Sequence, residues 1–447
     1  MIIDPTVPGT RPDPDELLPP PILREWTDRV ADVADADCAA LFAAGMRRTL
    51  ARTLHRFGDG SVFVITGDIP AMWLRDSATQ MRPYLRLLAT DDGSRLEALA
   101  EMIAGVVARQ FAYLGHDPYA NAFNAAGNGN CHEPRDLGDD PWLWERKYEI
   151  DSLCFPFQLA DQLARATGRT GHFDDAFARA AAAAIDTLTV ELDHEEDSTY
   201  RFVRPDTAPQ DTLSRDGLGA PVAVTGMTWS GFRPSDDACV HGYLVPANLM
   251  AAHTLDLIAP RLSDNGLAAR ARDLAAGLRA AVAEHAVVDH PDHGEVWAYE
   301  VDGLGNVLLA DDANMPSLLS LPLVAGVAPT DPHYRRTRDF VLSEGNPYFY
   351  AGSLAAGPGS PHTPPGFVWP IALSVAGLTT PDVDESLALL RTVARTTAGT
   401  GRVHESFHVD DDRRFTRDWF SWADSMYGEL ALHVCGAGGV DTVDSRP

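Results

Sequence analysis

The chain has 447 residues, of which 45% are hydrophobic and 22% are charged, so it is long and apolar enough to bury a large core. Its formal net charge of −28 disfavours nucleic acid and anionic membrane surfaces as partners, since both are negatively charged as well. No apolar run approaches the roughly 18 residues of a membrane span, and we therefore expect a small neutral or cationic ligand, with no nucleic-acid and no membrane partner.

The beginning of the chain is rich in proline and aspartate, and this composition predicts a poorly ordered arm over residues 1–22. The arm has neither the basic segment nor the apolar segment of a secretory signal, so a cytoplasmic location is the expectation. The composition shows no clear break after the arm, and we expect residues 23–440 to form a single domain.

Helical periodicity recurs along most of the chain. Apolar residues at i, i+3, i+4 and i+7 spacing predict a helix over 37–57. Further helices are predicted to begin near Ser94, Asp151, Phe173, Val245, Ala268, His333, Gly366, Asp384 and Phe420. These patterns indicate about ten to twelve helices, joined by long loops that are rich in glycine, proline, tryptophan and aspartate.

Strand patterns are fewer. Residues 61–69 alternate in part, and residues 294–313 predict a small β-hairpin around the turn 302–306. The chain shows no βαβ alternation and no glycine-rich dinucleotide fingerprint after a strand, so a doubly wound parallel sheet is not expected. We predict an all-α fold in which helices paired in a ring carry long loops on one face, where a pocket can form.

Metal and disulfide frameworks are not evident. The five cysteines, Cys38, Cys131, Cys154, Cys239 and Cys435, have no zinc spacing and no disulfide pattern, so we expect reduced thiols. The run Asp311–Pro316 lacks the glycine and the terminal glutamate of a calcium loop. We therefore expect neither a metal nor a cofactor.

The first run with chemical potential is GDIPAMWLRDS, residues 67–77. Trp73 would form an apolar floor, and Arg75 next to Asp76 places a fixed donor beside a fixed acceptor. A sugar hydroxyl both donates and accepts, so such a pair suits vicinal diols. The alternative is that Asp76 or Ser77 serves as the N-cap of the next helix.

The second run combines DPYANAFN with WERKYEIDS, residues 117–124 and 144–152. It brings together two amides, four acids, an arginine and the only lysine of the chain. The alternative is a surface network at a helix start, where acids favour the N-terminus. The candidate binding residues in this run are Asn121, Asn124, Arg146, Lys147 and Asp151.

The third run is TGMTWSGFRPSDDA, residues 225–238, in which glycine and proline interrupt any regular element. Adjacent side chains point in different directions, so at most one of Asp236 and Asp237 would be catalytic. The alternative is that one of them is the N-cap of a following helix and the other a first-turn acid. A carboxyl close to Trp229 is partly desolvated, which raises its pKa and suits a general acid. Arg233 is a further candidate binding residue.

The last run is GRVHESF, residues 401–407, followed closely by aromatic residues that include Trp422. Glu405 is the candidate general base, and the neighbouring His404 would help it stay ionised. The alternative is a solvated loop, which does not predict the dense aromatics. His362 lies on a separate proline-rich loop, where a lone histidine is more often structural.

Taken together, these runs resemble glycoside hydrolase family 125, whose members are exo-acting α-1,6-mannosidases. The shared motifs occur in family order between residues 61 and 425 and include TGDIPAMWLRDS, DPYANAFN, WERKYEIDSLC, TGMTWSGFRPSDDAC, DDANMPSLLS, GSPHTP and HESFHVDD. One small departure is Ser406, where the family pattern often has glycine.

The resemblance implies an (α/α)6 barrel, a toroid of helical hairpins, and an inverting, metal-independent mechanism. It assigns Asp236 as general acid and Glu405 as general base, with a gap of roughly 6.5–9.5 Å that leaves room for a water molecule. Arg75 and Asp76 would bind the terminal mannose. The other expected substrate-binding residues are Trp73, Asn121, Asn124, Arg146, Lys147, Asp151, Trp229, Arg233, Asp237, Asp312, Asn314, His362, His404 and Trp422.

The substrate implied by the resemblance is an α-1,6-linked manno-oligosaccharide or an N-glycan-derived glycan, and we expect a monomer or a weak homo-oligomer. Two alternatives stay open. One is another (α/α)6 exo-glycosidase or a glycoside phosphorylase, which needs a basic phosphate pocket near the base. The other is a mannoside-binding protein without catalysis, which the presence of both Asp236 and Glu405 disfavours.

Overall fold

The computed structural model describes residues 8–91, 95–136 and 138–439. Contacts divide the chain into two compact units: unit 1 contains Met1–Arg109, Leu159–His172 and Tyr348–Pro447, and unit 2 contains Gln110–Gln158 and Phe173–Pro347. Residues 23–440, expected as one domain, thus contribute to both units.

Helices dominate the described residues, which confirms the predicted all-α class and agrees with a toroid of helical hairpins. In chain order they are α1 Pro14–Leu17, α2 Pro20–Val33, α3 Ala36–Thr53, α4 Leu74–Thr79, α5 Arg82–Thr90, α6 Glu97–His116, α7 Ile150–Thr167, α8 Asp175–Val190, α9 His194–Asp197, α10 Ser214–Gly217, α11 Val245–Ile258, α12 Asn265–His285, α13 Leu321–Val324, α14 Pro332–Val341, α15 Pro370–Leu378, α16 Val383–Arg395 and α17 Ser421–Val434.

The strands are short and belong to the loops. They are β1 Leu54–Arg56, β2 Val62–Val64, β3 Met72–Trp73, β4 Ala122–Phe123, β5 Leu143–Glu145, β6 Tyr243–Leu244, β7 Val287–His290, β8 Gly294–Trp297, β9 Glu300–Val301, β10 Val307–Leu308, β11 Phe349–Ala351, β12 Ala356–Pro358, β13 Phe367–Val368, β14 Ser406–His408 and β15 Asp411–Thr416.

Antiparallel pairing fixes the loops that these strands carry. In unit 1, β14 lies between β13 and β15, with Phe407 opposite Phe415 and Val368. In unit 2, β9 lies between β6 and β10, with Val301 opposite Tyr243 and Val307. The predicted hairpin around 302–306 is confirmed as β9–β10, whereas β8 pairs with β7.

Aspartate caps explain where many helices begin. Asp35, Asp174, Asp264, Asp331 and Asp382 each precede a long helix, and each accepts a hydrogen bond from a backbone N–H of its first turn. A capping carboxylate satisfies N–H groups that have no partner within the helix. Part of the acidic composition therefore serves helix initiation.

The described part of the predicted arm contains helices. Residues 14–17 form α1 and α2 begins at Pro20, while Leu17 and Leu18 are buried. Asp13 caps α1, with proline at its first position. Proline and aspartate are favoured at helix starts, so the composition that suggested disorder here builds two helix N-termini. Residues 1–7 lie outside the described residues.

The core of unit 1 is centred on α17, which packs against α3, α5, α15 and α16. Nearly all of its residues are buried, including the charged Asp424 and Glu429. Unit 2 contains the helical hairpin α11–α12, and α12 also packs on α8. Among the described residues, no helix is long and apolar enough to cross a membrane.

A buried ion cluster joins α5 to α17. Arg82 donates from Nε and Nη2 to the two carboxylate oxygens of Glu429 at 2.6 and 2.9 Å, and Arg86 donates from Nε at 3.0 Å. Burial raises the pKa of Glu429, but the two arginines outweigh burial and lower it below its usual range. The carboxylate is therefore charged at neutral pH and contributes to the cohesion of the core.

Replacing Glu429 with glutamine should lower the free energy of unfolding by about 3–5 kcal/mol at pH 7, because two buried guanidinium groups lose their counter-charge. Since the folded pKa is depressed, the advantage of the wild type is full above the unfolded pKa of glutamate, about 4.3. It should disappear as the pH falls through the lower folded pKa. Urea denaturation at several pH values measures both effects.

The matched control is Glu25→Gln, which removes the exposed i,i+4 ion pair between Glu25 and Arg29. Exposed pairs contribute less than about 1 kcal/mol, so this variant should unfold almost as the wild type does. Equal losses in Glu429→Gln and Glu25→Gln would contradict a special role for the buried cluster.

Candidate active site

The first predicted site run surrounds the start of α4 in unit 1. The helix begins at Leu74, with Trp73 at the N-cap position and no side-chain cap, so the interpretation of Asp76 or Ser77 as the N-cap was wrong. Arg75 and Asp76 lie in the first turn, both buried, with 3.5 Å between Arg75 Nε and Asp76 Oδ2. The donor and the acceptor of this run are therefore adjacent, as predicted.

Two tryptophans also belong to this part of unit 1. The Arg75 guanidinium lies 5.5 Å from the ring centroid of Trp422. Trp73 and Trp422 are both buried, and within the described residues their indole N–H groups have no hydrogen-bond partner. Buried N–H donors usually have a partner, so these two donors are available to a ligand with hydroxyl acceptors.

Glu405 lies on the loop that leads into β14, and its side chain is mostly buried at 7% exposure. Arg417, just after β15, donates from Nη1 to Glu405 Oε1 at 3.3 Å and from Nε to Asp68 Oδ2 at 3.0 Å. Burial alone lowers the pKa of Arg417, but Glu405, Asp68 and Asp76 raise it well above its usual range. A permanent cation is therefore fixed beside the candidate base.

A second set of contacts clamps the loop in front of Glu405. Buried Asp424 of α17 accepts hydrogen bonds from Val403 N at 3.1 Å and from Trp419 Nε1 at 3.0 Å. Arg48 of α3 places Nε 3.3 Å from Asp424 and donates to the Gly401 carbonyl at 2.9 and 3.0 Å. Burial raises the pKa of Asp424 and the Arg48 charge opposes that rise.

His404 takes part in the same clamp. Its ring stacks on Phe415 with centroids 3.7 Å apart. Its Nδ1 lies 3.1 Å from the Asp418 carbonyl, and its Nε2 lies 3.2 Å from both the Thr397 carbonyl and the Thr400 hydroxyl. Both ring nitrogens thus face the protein, and the structure gives His404 a role in holding the loop of Glu405.

In unit 2, Asp236 occupies a tight turn. Arg233 N donates to the Asp237 carbonyl at 2.8 Å, and Asp236 N donates to the Arg233 carbonyl at 2.9 Å. Asp236 has φ of 70°, in the left-handed region that aspartate tolerates better than most residues. No helix begins until Val245, so the interpretation of Asp236 or Asp237 as a helix N-cap was wrong.

Arg233 anchors this turn to β9. Its Nε donates to Glu300 Oε1 at 2.5 Å, and Glu300 Oε2 accepts from the backbone of Val240 and His241 at 2.9 and 2.8 Å. Burial lowers the pKa of Arg233, but Glu300 and Tyr299 raise it well above its usual range. Arg233 Nη2 and the Tyr299 hydroxyl are buried without a hydrogen-bond partner in the described parts of the chain.

Ser235 links the same turn to the predicted run 311–316. Its hydroxyl donates to Asp312 Oδ2 at 2.9 Å, and Asn314 donates from Nδ2 to Asp312 Oδ1 at 3.2 Å. Both Asp312 and Asn314 are buried. The structure therefore brings these two predicted residues together with the Asp236 turn.

Lys147 lies directly under the turn. Its Nζ donates to the Asp236 backbone carbonyl at 2.7 Å and to Asp211 Oδ1 at 2.5 Å, and it lies 3.6 Å from Glu145 Oε1. Burial lowers the pKa of Lys147, but the three carboxylates of Glu145, Asp236 and Asp211 outweigh it. The lysine was predicted to bind substrate; its donors instead point into the protein.

Two other predicted residues have structural partners. Asn124 donates to the carbonyls of Asn130, Pro141 and Leu143 and so organises its own loop. Asn121 donates to Glu145 Oε2 at 2.9 Å and accepts from Lys147 N at 3.1 Å. Both amides therefore support the loop rather than present a free polar group.

Arg146 and Asp151 are placed differently from each other. Arg146 is half-buried and donates to Asp117 at 2.6 Å, beside a cavity of about 380 Å³. Asp151 is fully buried in the first turn of α7, where the predicted preference for acids at a helix start is confirmed. His362, in unit 1, is exposed on its loop.

Trp229 is enclosed by the protein. Its ring stacks on His194 with centroids 3.5 Å apart, and it is 1% exposed. A Cβ at Gly242 would lie 2.3 Å from Trp229 Cδ1, and one at Gly219 would lie 2.8 Å from Cζ2. The loop thus closes tightly around the indole, which gives Trp229 a packing role, and we do not retain it as a substrate contact.

Sequence reasoning missed Arg417, Asp68 and Tyr299. Asp68 lies in the run 67–77 and Arg417 lies beyond the run 401–407, and the pairing of two residues 349 positions apart is not visible in the sequence. The alternating pattern of 294–313 placed Tyr299 near a strand without indicating what its hydroxyl faces. Asp236 belongs to unit 2 and Glu405 to unit 1.

A family model described as metal-independent α-mannosidase, glycoside hydrolase family 125, matches residues 35–432. The chain belongs to this family. Within the described residues, no group of three or more histidine, cysteine, aspartate or glutamate side chains is arranged to hold a metal ion.

Two similar proteins support the membership of this chain in family 125. The chain is 40% identical to the meiotically up-regulated gene 157 protein of Schizosaccharomyces pombe over 425 residues, 90% of this chain and 82% of that protein. A solved structure from Streptococcus pneumoniae is 44% identical, with a TM-score of 0.88, covering 93% of this chain and 98% of that one. It is described as a non-productive complex of a metal-independent α-mannosidase with α-1,6-mannobiose.

A more distant structure, described as a wild-type glycosidase, has a TM-score of 0.52 at 15% identity and covers 92% of this chain and 98% of that one. This similarity concerns the fold alone. The sequence-based expectation of family 125 is confirmed by the family match and by the 44% identical structure.

The clamp on the Glu405 loop predicts a measurable effect of Asp424→Asn. An asparagine has one acceptor oxygen and no charge, so it cannot serve Val403 N, Trp419 Nε1 and Arg48 together. We expect a loss of about 3 kcal/mol in unfolding free energy and faster amide hydrogen exchange over 401–405.

The control Asp418→Asn removes an exposed ion pair with Arg402 in the same region and should change both quantities little. Unchanged exchange in Asp424→Asn would contradict the clamp.

Proposed function

We propose that this family-125 chain is an exo-acting, inverting α-1,6-mannosidase that releases the terminal non-reducing mannose. The observation that carries the proposal is the 44% identity, over 93% of the chain, to a structure described with α-1,6-mannobiose bound. The substrate we propose is an α-1,6-linked manno-oligosaccharide, free or derived from an N-glycan.

Asp236 is the proposed general acid. It protonates the glycosidic oxygen as the bond from that oxygen to C1 of the terminal mannose breaks. Several features support the assignment: the half-buried position, the turn held by Arg233 and Lys147, and the contact of the neighbouring Ser235 with Asp312. A carboxyl on a fixed turn needs little reorganisation to reach the departing oxygen.

Glu405 is the proposed general base. It takes a proton from a water molecule that attacks C1 on the opposite face, so that water supplies the new hydroxyl and the leaving sugar receives the proton of Asp236. The charge of Arg417, 3.3 Å away, and the clamp formed by Asp424, Arg48 and His404 support this role. Together they hold the carboxylate in place.

Arg75, Asp76, Trp73 and Trp422 are the proposed contacts of the terminal mannose. A mannose ring presents several hydroxyl groups, each able to donate and to accept. The two buried indole N–H groups in this part of unit 1 would each gain an acceptor, and the adjacent Arg75 and Asp76 supply a donor and an acceptor for a diol.

The decisive experiment measures mannose release from α-1,6-, α-1,2- and α-1,3-mannobiose, each with and without inorganic phosphate. We expect the highest kcat/KM with the α-1,6 linkage and no effect of phosphate. Formation of mannose 1-phosphate would indicate a phosphorylase, and tight binding without turnover would indicate a binding protein. Either result would overturn the proposed function.

Asp236→Asn and Glu405→Gln should each reduce kcat on α-1,6-mannobiose by at least about 100-fold, because general acid–base catalysis contributes typically 10²–10⁴-fold. Asparagine tolerates the left-handed backbone as well as aspartate does, so Asp236→Asn should fold normally. Asp216→Asn is the matched control, since Asp216 also has positive φ, of 54°, but lies exposed elsewhere in unit 2. Full activity of either catalytic variant would contradict its assignment.

A further inference from the structure

The chain has 36 basic residues of the lysine and arginine types, and Lys147 is the single lysine among them. The two residue types are not equivalent in geometry. An ammonium group is a compact point charge with three donors, whereas a guanidinium group is a planar fork. A position that keeps lysine in an arginine-rich chain is therefore expected to make contacts that suit an ammonium group.

The surroundings of Lys147 suit such a group. The side chain is 2% exposed, and its Nζ faces three oxygens: the Asp236 carbonyl at 2.7 Å, Asp211 Oδ1 at 2.5 Å and Glu145 Oε1 at 3.6 Å. The Phe232 ring covers Nζ at 5.1 Å. Two of these oxygens accept hydrogen bonds from the ammonium group, and the third makes an ion-pair contact with it.

Arg204 is a second cation that pairs with the carboxylates of the same cluster. It donates from Nη2 to Glu145 at 2.7 Å and from Nη1 to Asp211 at 2.9 Å. The cluster thus contains two cations, Lys147 and Arg204, and two anions, Glu145 and Asp211. What Lys147 adds to these shared ion pairs is the hydrogen bond to the backbone of Asp236.

That hydrogen bond acts on a strained position. Asp236 has φ of 70°, a conformation that persists in a non-glycine residue when its surroundings hold it. Two backbone bonds close the turn between Arg233 and Asp237, and Lys147 fixes the carbonyl of Asp236 from below. The direction of the Asp236 side chain follows from this backbone conformation, because Cβ is attached to the same strained residue.

We propose that Lys147 is a positioning residue that holds the Asp236 turn in the conformation from which the carboxyl protonates the leaving oxygen. It acts through Asp236 and does not contact the substrate. The inference rests on the proposed acid role of Asp236. It replaces the sequence-based expectation that Lys147 binds substrate.

The test uses the dependence of the rate on the leaving group. A 2,4-dinitrophenyl α-mannoside has a leaving group that departs without protonation, whereas the sugar of α-1,6-mannobiose needs the acid. The variant is Lys147→Met combined with Asp211→Asn, which removes the buried cation together with its half-buried partner anion and so protects folding. The matched control is Asp211→Asn alone, which keeps the bond between Lys147 and the Asp236 carbonyl. Thermal denaturation confirms that both are folded.

Relative to Asp211→Asn, we expect the double variant to lose about 100-fold in kcat on α-1,6-mannobiose, the lower range for loss of a general acid. On the dinitrophenyl mannoside the loss should be less than about threefold. Equal losses on both substrates would show a merely structural role, and no loss on mannobiose would show that Lys147 is dispensable. Either outcome overturns the inference.

Asp236→Asn separates this inference from the proposed function. If Asp236→Asn loses much more activity on α-1,6-mannobiose than on the dinitrophenyl mannoside and the double variant does not, only the role of Lys147 is wrong. If Asp236→Asn loses activity equally on both substrates, or on neither, the acid assignment itself fails and the role of Lys147 fails with it.

Discussion

The structure depends on the rule that a buried charge needs a counter-charge. Each loop that carries a proposed catalytic carboxylate is held by such pairs. Lys147, paired with Asp211, donates to the Asp236 carbonyl, and Arg233, paired with Glu300, anchors the same turn, while Arg417 is bound to Glu405 itself. Removing one member of a buried pair leaves an uncompensated charge and is far more costly than removing an exposed pair. The loops therefore keep one shape although they contain little regular secondary structure.

Packing reinforces these electrostatic contacts. The loop before Asp236 closes around Trp229, and at Gly242 there is no space for a Cβ. In unit 1, Phe415 covers His404, and Asp424 holds Val403 from the buried helix α17. A rigid helical scaffold with shaped loops is suited to catalysis, because small displacements of a reacting group reduce the rate strongly.

The sequence predicted the elements better than the contacts between them. Helix starts were close to those observed, for example Val245 for α11 and Asp384 against Val383 for α16, because periodicity and aspartate caps are local signals. Local reasoning failed for α1, where proline and aspartate were taken as signs of disorder. It also failed for Asp236, where two adjacent acids suggested a helix N-cap while the chain forms a left-handed turn.

The residue patterns nominated Glu405 and the pair Asp236 and Asp237, the resemblance to family 125 chose Asp236 from that pair, and the structure identified the residues around them. The pair Lys147–Asp236 is separated by 89 positions and the pair Arg48–Gly401 by 353, so no periodic pattern reveals them. The composition singled out Lys147 as the only lysine. Its hydrogen bond to a backbone carbonyl could not be predicted, because no sequence motif encodes such a contact. Buried side chains such as Trp229 and Asn124 were predicted as ligand contacts because aromatic and amide residues serve both packing and recognition.

The central claim is that two carboxyl groups, Asp236 as acid and Glu405 as base, cleave the linkage in one step with inversion. The most direct measurement is ¹H NMR of the first mannose released from α-1,6-mannobiose, recorded before the anomers equilibrate. The account predicts β-mannose as the first product, because water enters from the face opposite the leaving group. If α-mannose is formed first, the enzyme retains configuration and Glu405 does not act as a general base of this kind.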